Sequence, residues 1–425
     1  MKEKKFISKE ERVIYYIVST VFIVDFINGY LIEKNIDIFS FGMVIRLGIL
    51  FIYSSYILKY NYKKLLFIYM IFMPLFINSG LSYFFNHQTT SGFIFDIKDI
   101  SKLIYIILSI ETLRILYKNE KIRKKTIYSA ILNNSKHIIF ILGISIIFEI
   151  GNSTYGDVGY KSTYQSVNAL NASLIVLFVF TYGEIYKHKY NFTKINSYSK
   201  FIENTYQMII VLLFLIMTGT KSSLIFPIVI MIMYYILSDD SVLKTKQFIM
   251  FIAIGICILI SIDKLFYEQF VDIIQRQMYF IDLRSENFMS YILSGRNEFL
   301  VAAYDSFKQN FSIRRLIFGT GSYLYQLEIG TYFSTRVFKN IEMEIFDFLF
   351  GYGIYGVLIT FGYMGNLIIR SLNRYNIKEK LPYLISILMM LIFSTFGGHV
   401  LLDAMPSTLL VTCIATFSSK ANFKL

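Results

Sequence analysis

Apolar residues in this chain come in long blocks separated by short charged connections. The blocks lie at roughly 12–33, 37–58, 64–85, 100–118, 136–150, 167–187, 205–218, 221–238, 247–263, 345–370, 381–397 and 400–418. Most approach the roughly 17–25 residues that a helix needs to cross a bilayer. Helices are the expected spanning element because backbone in lipid must satisfy its own hydrogen bonds. The blocks at 136–150 and 205–218 are short, so tilt or partial entry is expected there. The pattern therefore predicts an all-α polytopic integral membrane protein with about twelve transmembrane helices.

Spans nine and ten are separated by a connection from about Asp263 to Glu344, far longer than adjacent elements require. Its aromatic-rich stretches with helix-like periodicity predict a large, partly helical loop rather than a linker. The organisation is then 1–262 with about nine spans, 263–344 as the loop, and 345–425 with about three spans.

Composition agrees: 55% of residues are hydrophobic and 17% charged, whereas soluble domains carry about a quarter charged residues. Cys257 and Cys413 both lie in apolar runs without a CxxC pair, so neither a disulfide framework nor a metal site is expected. The first apolar run is read as a retained span, not a signal peptide. The net charge of +13 raises nucleic acid as a partner, but its distribution argues against it. Lys and Arg crowd the N-terminal segment, the C-terminal tail and alternate short connections, such as Lys59, Lys63 and Lys64 or Arg370, Arg374, Lys378 and Lys380. The other short connections hold only Lys34, Lys98, Lys161 and Lys221. Basic residues mark cytoplasmic loops, so both termini are expected in the cytoplasm and the 263–344 loop outside.

The candidate chemistry collects on the expected outer face. Lys221, in TGTKSS between two apolar blocks, suits contact with a phosphate or pyrophosphate, with snorkelling to the interface as the alternative. The long loop carries Arg276, Arg314 and Arg315 as further binding cations, and Arg296 in the segment SGR. Arginine holds phosphate in bidentate fashion. Gly319-Thr320-Gly321 reads as a tight turn, since the rest of a nucleotide-binding fingerprint is absent. Glu344 and Asp347 share a helix face at the edge of the tenth span. Carboxylates at that depth are costly unless used, and one there could deprotonate an attacking hydroxyl. Gly397-Gly398-His399 and Asp403 form the last outward turn, where His399 is a candidate ligand contact. Asp25 and Arg46, on the first two spans, read as a structural ion pair.

TGTKSS before a span, SGRNEFL inside the loop, FGTGSY after it and EMEIFDFLFGYGIYG entering the next span resemble the Wzy-type capsule and O-antigen polymerases, relatives of the O-antigen ligases. The likeness in topology covers nearly the whole chain, while that in sequence is confined to residues around 205–365. It implies a metal- and nucleotide-independent glycosyltransferase of the bacterial cytoplasmic membrane, without cofactor. The growing glycan would pass from undecaprenyl pyrophosphate to the non-reducing end of another lipid-linked repeat unit. Those lipid-linked oligosaccharides and membrane lipids are the implied partners, with a flippase and a chain-length regulator as further candidates. Lys221 and Arg296 match the family's basic positions and would bind the pyrophosphate and stabilise charge on the leaving group. The ligases carry a His near the end of the long loop; here IEMEIFD has none, which favours a polymerase and leaves Glu344 or Asp347 as the base. The rivals are a ligase-like transferase and a flippase for the same lipid-linked sugars. A flippase needs charges along a central cavity, whereas intramembrane charges here are few, such as Asp25 and Arg46.

Overall fold

The structure is a computed structural model that describes residues 6–36, 41–85, 89–155, 158–187, 195–237, 293–333, 338–372, 377–398 and 400–419, with single positions between 271 and 290. The expected span 247–263 and the domain boundary at 262/263 lie outside the described residues.

Helices dominate. In the N-terminal part they are α1 (Lys9–Ser19), α2 (Val21–Glu33), α3 (Phe41–Phe85), α4 (Thr90–Lys118), α5 (Lys124–Ile147), α6 (Val167–Lys187), α7 (Ile195–Met217) and α8 (Lys221–Ile236). Within the long connection come α9 (Arg296–Gln309), α10 (Ile313–Phe318) and α11 (Ser322–Tyr332). The chain continues through α12 (Glu344–Val357), a π-helical turn (Leu358–Gly362), α13 (Tyr363–Leu372), α14 (Ile377–Phe396) and α15 (Ala404–Ser418). A two-stranded antiparallel hairpin, β1 (Ser153–Tyr155) with β2 (Val158–Tyr160), is a small departure from the all-helical expectation.

Five helical segments among the described residues are long and apolar enough to cross a membrane: Phe41–Phe85, Lys124–Ile147, Val167–Tyr186, Ser199–Met217 and Glu344–Leu372. The pair α1 and α2, bent by 51°, adds a sixth if it forms one span. Apolar helices of this length make the chain an α-helical protein suited to a membrane. A straight helix of α3's length would reach about 67 Å, twice the thickness of a bilayer core. It does not run straight. Asn61 leaves helical geometry (φ −160°, ψ 77°), and its side chain caps the next turn by accepting from the Lys64 N–H at 3.1 Å. Ser54 and Tyr69 then meet at 3.1 Å, a distance possible only if two limbs fold back on each other. Lys59, Lys63 and Lys64 cluster at this fold-back.

The most apolar stretch of α6 is 89% buried inside the protein, against 33% for α3. A helix that is hydrophobic all round belongs at the centre, while a half-buried one turns its other face to lipid. Around α6 pack α5, α7, α8, α14 and α15. The helix α15 is enclosed on every side and uses hydroxyl residues to bridge to α4: Thr408 bonds Tyr105 at 2.7 Å and Thr416 bonds Tyr117 at 2.8 Å. Small and hydroxyl-bearing residues let membrane helices approach and hydrogen-bond in this way.

The connection helices α9–α11 build a small core of their own around Ala302, Ala303, Tyr325, Ile329 and Phe350. They are locked to α12 by two glycine-rich segments. Thr320 and Gly321 donate backbone hydrogen bonds to Phe350 and Gly351 at 3.3 and 2.9 Å. Gly319 and Gly353 both have positive φ (73° and 67°); a Cβ on the first would overlap the Gly351 carbonyl, and on the second the Ile317 backbone. Gly353→Ala is expected to lower the thermal midpoint of the detergent-solubilised protein, with about 1–3 kcal/mol lost to backbone strain alone. Gly365→Ala, where a Cβ meets nothing within 4 Å, serves as the comparison and should leave the midpoint equal or higher. Equal midpoints for both variants would contradict the interlock.

Candidate functional site

One end of the bundle holds a cavity of about 210 Å³ where α2, the first limb of α3, α4, the start of α6 and the α14–α15 connection converge. Its polar lining includes a cation wall of Arg46 from α3 and Lys98 and Lys102 from α4, with Ser101. Asp25 and Asn28 of α2, Gln165 and Ser166 ahead of α6, and Asp403 of the connection line it too. Asp25 and Arg46, expected as a structural ion pair, line the cavity without a direct bridge among the described residues. Arg46 instead donates to the Leu402 carbonyl at 3.0 Å and the Ser407 hydroxyl at 3.2 Å, and lies over the Tyr105 ring. Its Nε is buried without a hydrogen-bond partner. Lys98 sits ahead of the expected span 100–118. Burial, and then the nearby Lys102 charge, hold its ammonium below the ordinary lysine value. An anion in the cavity would relieve both effects.

The α14–α15 connection is a strap held at three points. Arg296 donates to the Phe396 and Gly397 carbonyls, each at 3.2 Å, and pairs with Glu342 at 2.8 Å. Glu344, 1% exposed, takes the backbone N–H groups of Val400, Leu401 and Leu402 on a single carboxylate oxygen at 2.7, 2.7 and 3.3 Å. Arg46 holds the far side through the Leu402 carbonyl. The next residue, Asp403, occupies the N-cap of α15, a position where Asp ordinarily accepts from the first turn. Its side chain makes no such bond and lines the cavity instead.

The long connection reaches the same end. Gly321 starts α11 without a side chain to cap it, and α4 supplies the acceptors. Asp96 accepts from the Tyr323 N–H at 2.8 Å, and Asp99 accepts from the Ser322 hydroxyl at 2.7 Å. Asp99 also pairs with Lys102 at 2.6 Å, so α11 is joined to the cavity wall through one carboxylate. A Cβ on Gly321 would overlap the Asp96 carboxylate, so the second glycine of FGTGSY marks a docking contact.

The other expected site residues have different neighbours. Asp347 accepts from the Tyr325 hydroxyl and from the Ile341 N–H, the latter at 3.0 Å. Burial, and then the Asp347 charge, push the Tyr325 hydroxyl well above the ordinary phenol value, which keeps it the donor. Arg315 is buried in a two-pronged pair with Glu328 and stacks on Phe307. Arg314 donates to Ser82 at 2.9 Å. Lys221 is the first residue of α8, beyond the Thr220 cap, whose hydroxyl accepts from Asn171 at 2.8 Å. A cation there opposes the helix dipole, so local helix chemistry does not call for it. Arg276 and His399 lie outside the described residues. None of Lys221, Arg296, Arg314, Arg315, Glu344 or Asp347 lines the cavity.

Sequence reasoning missed the cation wall. Its signal was the DIKDISK segment of α4, where Lys98 and Lys102, four apart, share a helix face. Among the described residues no group of acidic, His or Cys side chains is arranged to hold a metal ion. No protein-family model matches the chain, and no curated protein matches it either.

Removing the Glu344 carboxylate deprives three strap N–H groups of their acceptor, at a cost on the order of 3 kcal/mol. Glu344→Ala should therefore unfold at a clearly lower temperature in detergent than wild type. Glu344→Gln, which keeps one carbonyl oxygen, should fall between the two. A fully stable Glu344→Ala would show that the strap does not need this anchor.

Proposed function

We propose that the chain is a membrane-embedded glycosyltransferase of the polysaccharide-polymerase type. It moves a growing glycan from a polyprenyl pyrophosphate, undecaprenyl pyrophosphate in the family it resembles, onto another lipid-linked repeat unit. The observation that carries this reading is the cation wall of Arg46, Lys98 and Lys102, in a cavity where apolar helices converge. A polyprenyl pyrophosphate sugar has three parts: a tail for lipid, a dianionic head and a polar glycan. Arg46 keeps an unused buried N–H, and arginine beside lysines suits pyrophosphate oxygens. Charge that builds on the departing pyrophosphate would meet fixed cations there. The docked connection α9–α11, joined to Lys102 through Asp99, supports a role in covering the glycan.

The topology that belongs to this reading has about twelve spans, both termini in the cytoplasm and the cavity at the outer face of the cytoplasmic membrane. The distribution of Lys and Arg supports it: the cavity end carries few basic connections, while Lys59, Lys63 and Lys64 lie at the opposite turn of α3. Arg296 is assigned to holding the strap, because its partners are the Phe396 and Gly397 carbonyls and Glu342. Lys221 remains a binding candidate near the start of α6.

The test is incubation of the purified protein in liposomes with a lipid-linked repeat unit, without ATP or nucleotide sugar. A ladder of longer glycans is expected. Arg46→Ala should slow elongation about 10²–10³-fold, the typical loss of one preorganised charge-stabilising donor, while the protein still inserts and elutes as wild type. Transbilayer movement of the substrate without elongation would make the protein a flippase and end the polymerase reading.

A further inference from the structure

The rest of the polar lining has its own chemistry. Asp25, Asn28, Gln165, Ser166 and Asp403 present carboxylate, amide and hydroxyl groups, the kinds that hold sugar hydroxyls. Among the nearby carboxylates, Glu344 and Asp347 already accept backbone N–H groups. Asp96 and Asp99 already hold α11. Asp403 differs. It stands at a helix N-cap without capping, on a strap fixed one residue away by Glu344 and Arg46. A position that would stabilise α15 by about 1 kcal/mol through an ordinary cap turns its carboxylate to the cavity instead.

We infer that the cavity is a two-subsite centre, in which the donor pyrophosphate lies on Arg46, Lys98 and Lys102 while the acceptor sugar lies on the remaining polar lining with its hydroxyl on Asp403. This rests on the polymerase reading and assigns its proton acceptor. The acceptor oxygen bonds to the anomeric carbon of the donor. The bond from that carbon to the pyrophosphate oxygen breaks, and its electron pair leaves with the pyrophosphate. The hydroxyl proton passes to the Asp403 carboxylate, which later releases it to water. Asp25, on α2, binds a neighbouring acceptor hydroxyl. The charged and titratable groups around Asp403 are Asp25 from α2, Arg46 from α3, Lys98 and Lys102 from α4, and Tyr164 ahead of α6.

Asp403→Asn separates this role from a structural one, since Asn caps helices as well as Asp does and should leave the melting temperature unchanged. The variant should elongate a lipid-linked repeat unit in liposomes about 10²–10⁴-fold more slowly, the usual contribution of a positioned base. It should still be stabilised against heat by undecaprenyl pyrophosphate as wild type is. Asp403→Glu, which keeps a carboxylate at this position, should elongate faster than Asp403→Asn, and Asp25→Asn should raise the acceptor KM. If wild type elongates and Asp403→Asn does so within a few fold, the assignment fails while the polymerase reading stands. Loss of undecaprenyl pyrophosphate binding in Asp403→Asn would also overturn it. A wild type that makes no ladder defeats the polymerase reading first, and this assignment with it.

Discussion

A single buried carboxylate governs the geometry around the cavity. Glu344 accepts three successive backbone N–H groups at Val400, Leu401 and Leu402 on one oxygen. Such a cluster suits a carboxylate acceptor, because charged acceptors form the stronger hydrogen bonds. From this one contact follow the course of the strap, the carbonyl that Arg46 grips, and the position of Asp403 at the head of α15. An acidic residue in the first turn of a helix gains from the dipole, but α12 uses Glu344 mainly to organise a second, distant segment.

The same economy recurs. Asp96 and Asp99 on α4 cap a helix that begins more than two hundred residues later. Asp347 gathers Tyr325 and Ile341, and Glu11 draws together Arg123, Thr126 and the Ile7 N–H at the other end of the bundle. Charges that would be costly in a membrane setting are satisfied by backbone and by one another. Against this pattern the cavity stands apart, with Arg46, Lys98, Asp25 and Asp403 sharing an open space rather than closing on each other.

Much of this was legible in the sequence where the determinant is local. Apolar blocks became helices, and the Lys-rich interval around Asn61 became a fold-back within what otherwise runs as one helix. The glycines of FGTGSY and FGYGIYG pointed to close approach, though not to each other; their interlock depends on segments thirty residues apart. The cavity was not legible. Its walls come from five separated stretches, and Asp25 and Arg46 looked like a pair because nothing in their spacing reveals that Leu402 and Ser407 compete for the guanidinium. Glu344 and Asp347 looked like candidate bases for the same reason. Their N–H partners lie 56–58 and 6 residues away, and neither pairing has a compositional signature.

The dependence of α4 on α11 has a consequence for how the protein is made. The start of α4 carries Asp96, Lys98, Asp99 and Lys102 within seven residues, and the partners of its carboxylates at Ser322 and Tyr323 are translated 223 and 227 residues after it. Until they arrive, Asp96 and Asp99 lack the hydrogen bonds that α11 supplies to them. The first third of the protein is therefore completed by the last third. A chain ending before residue 322 would leave the start of α4 without these two late donors, so its carboxylates report whether the last third has docked.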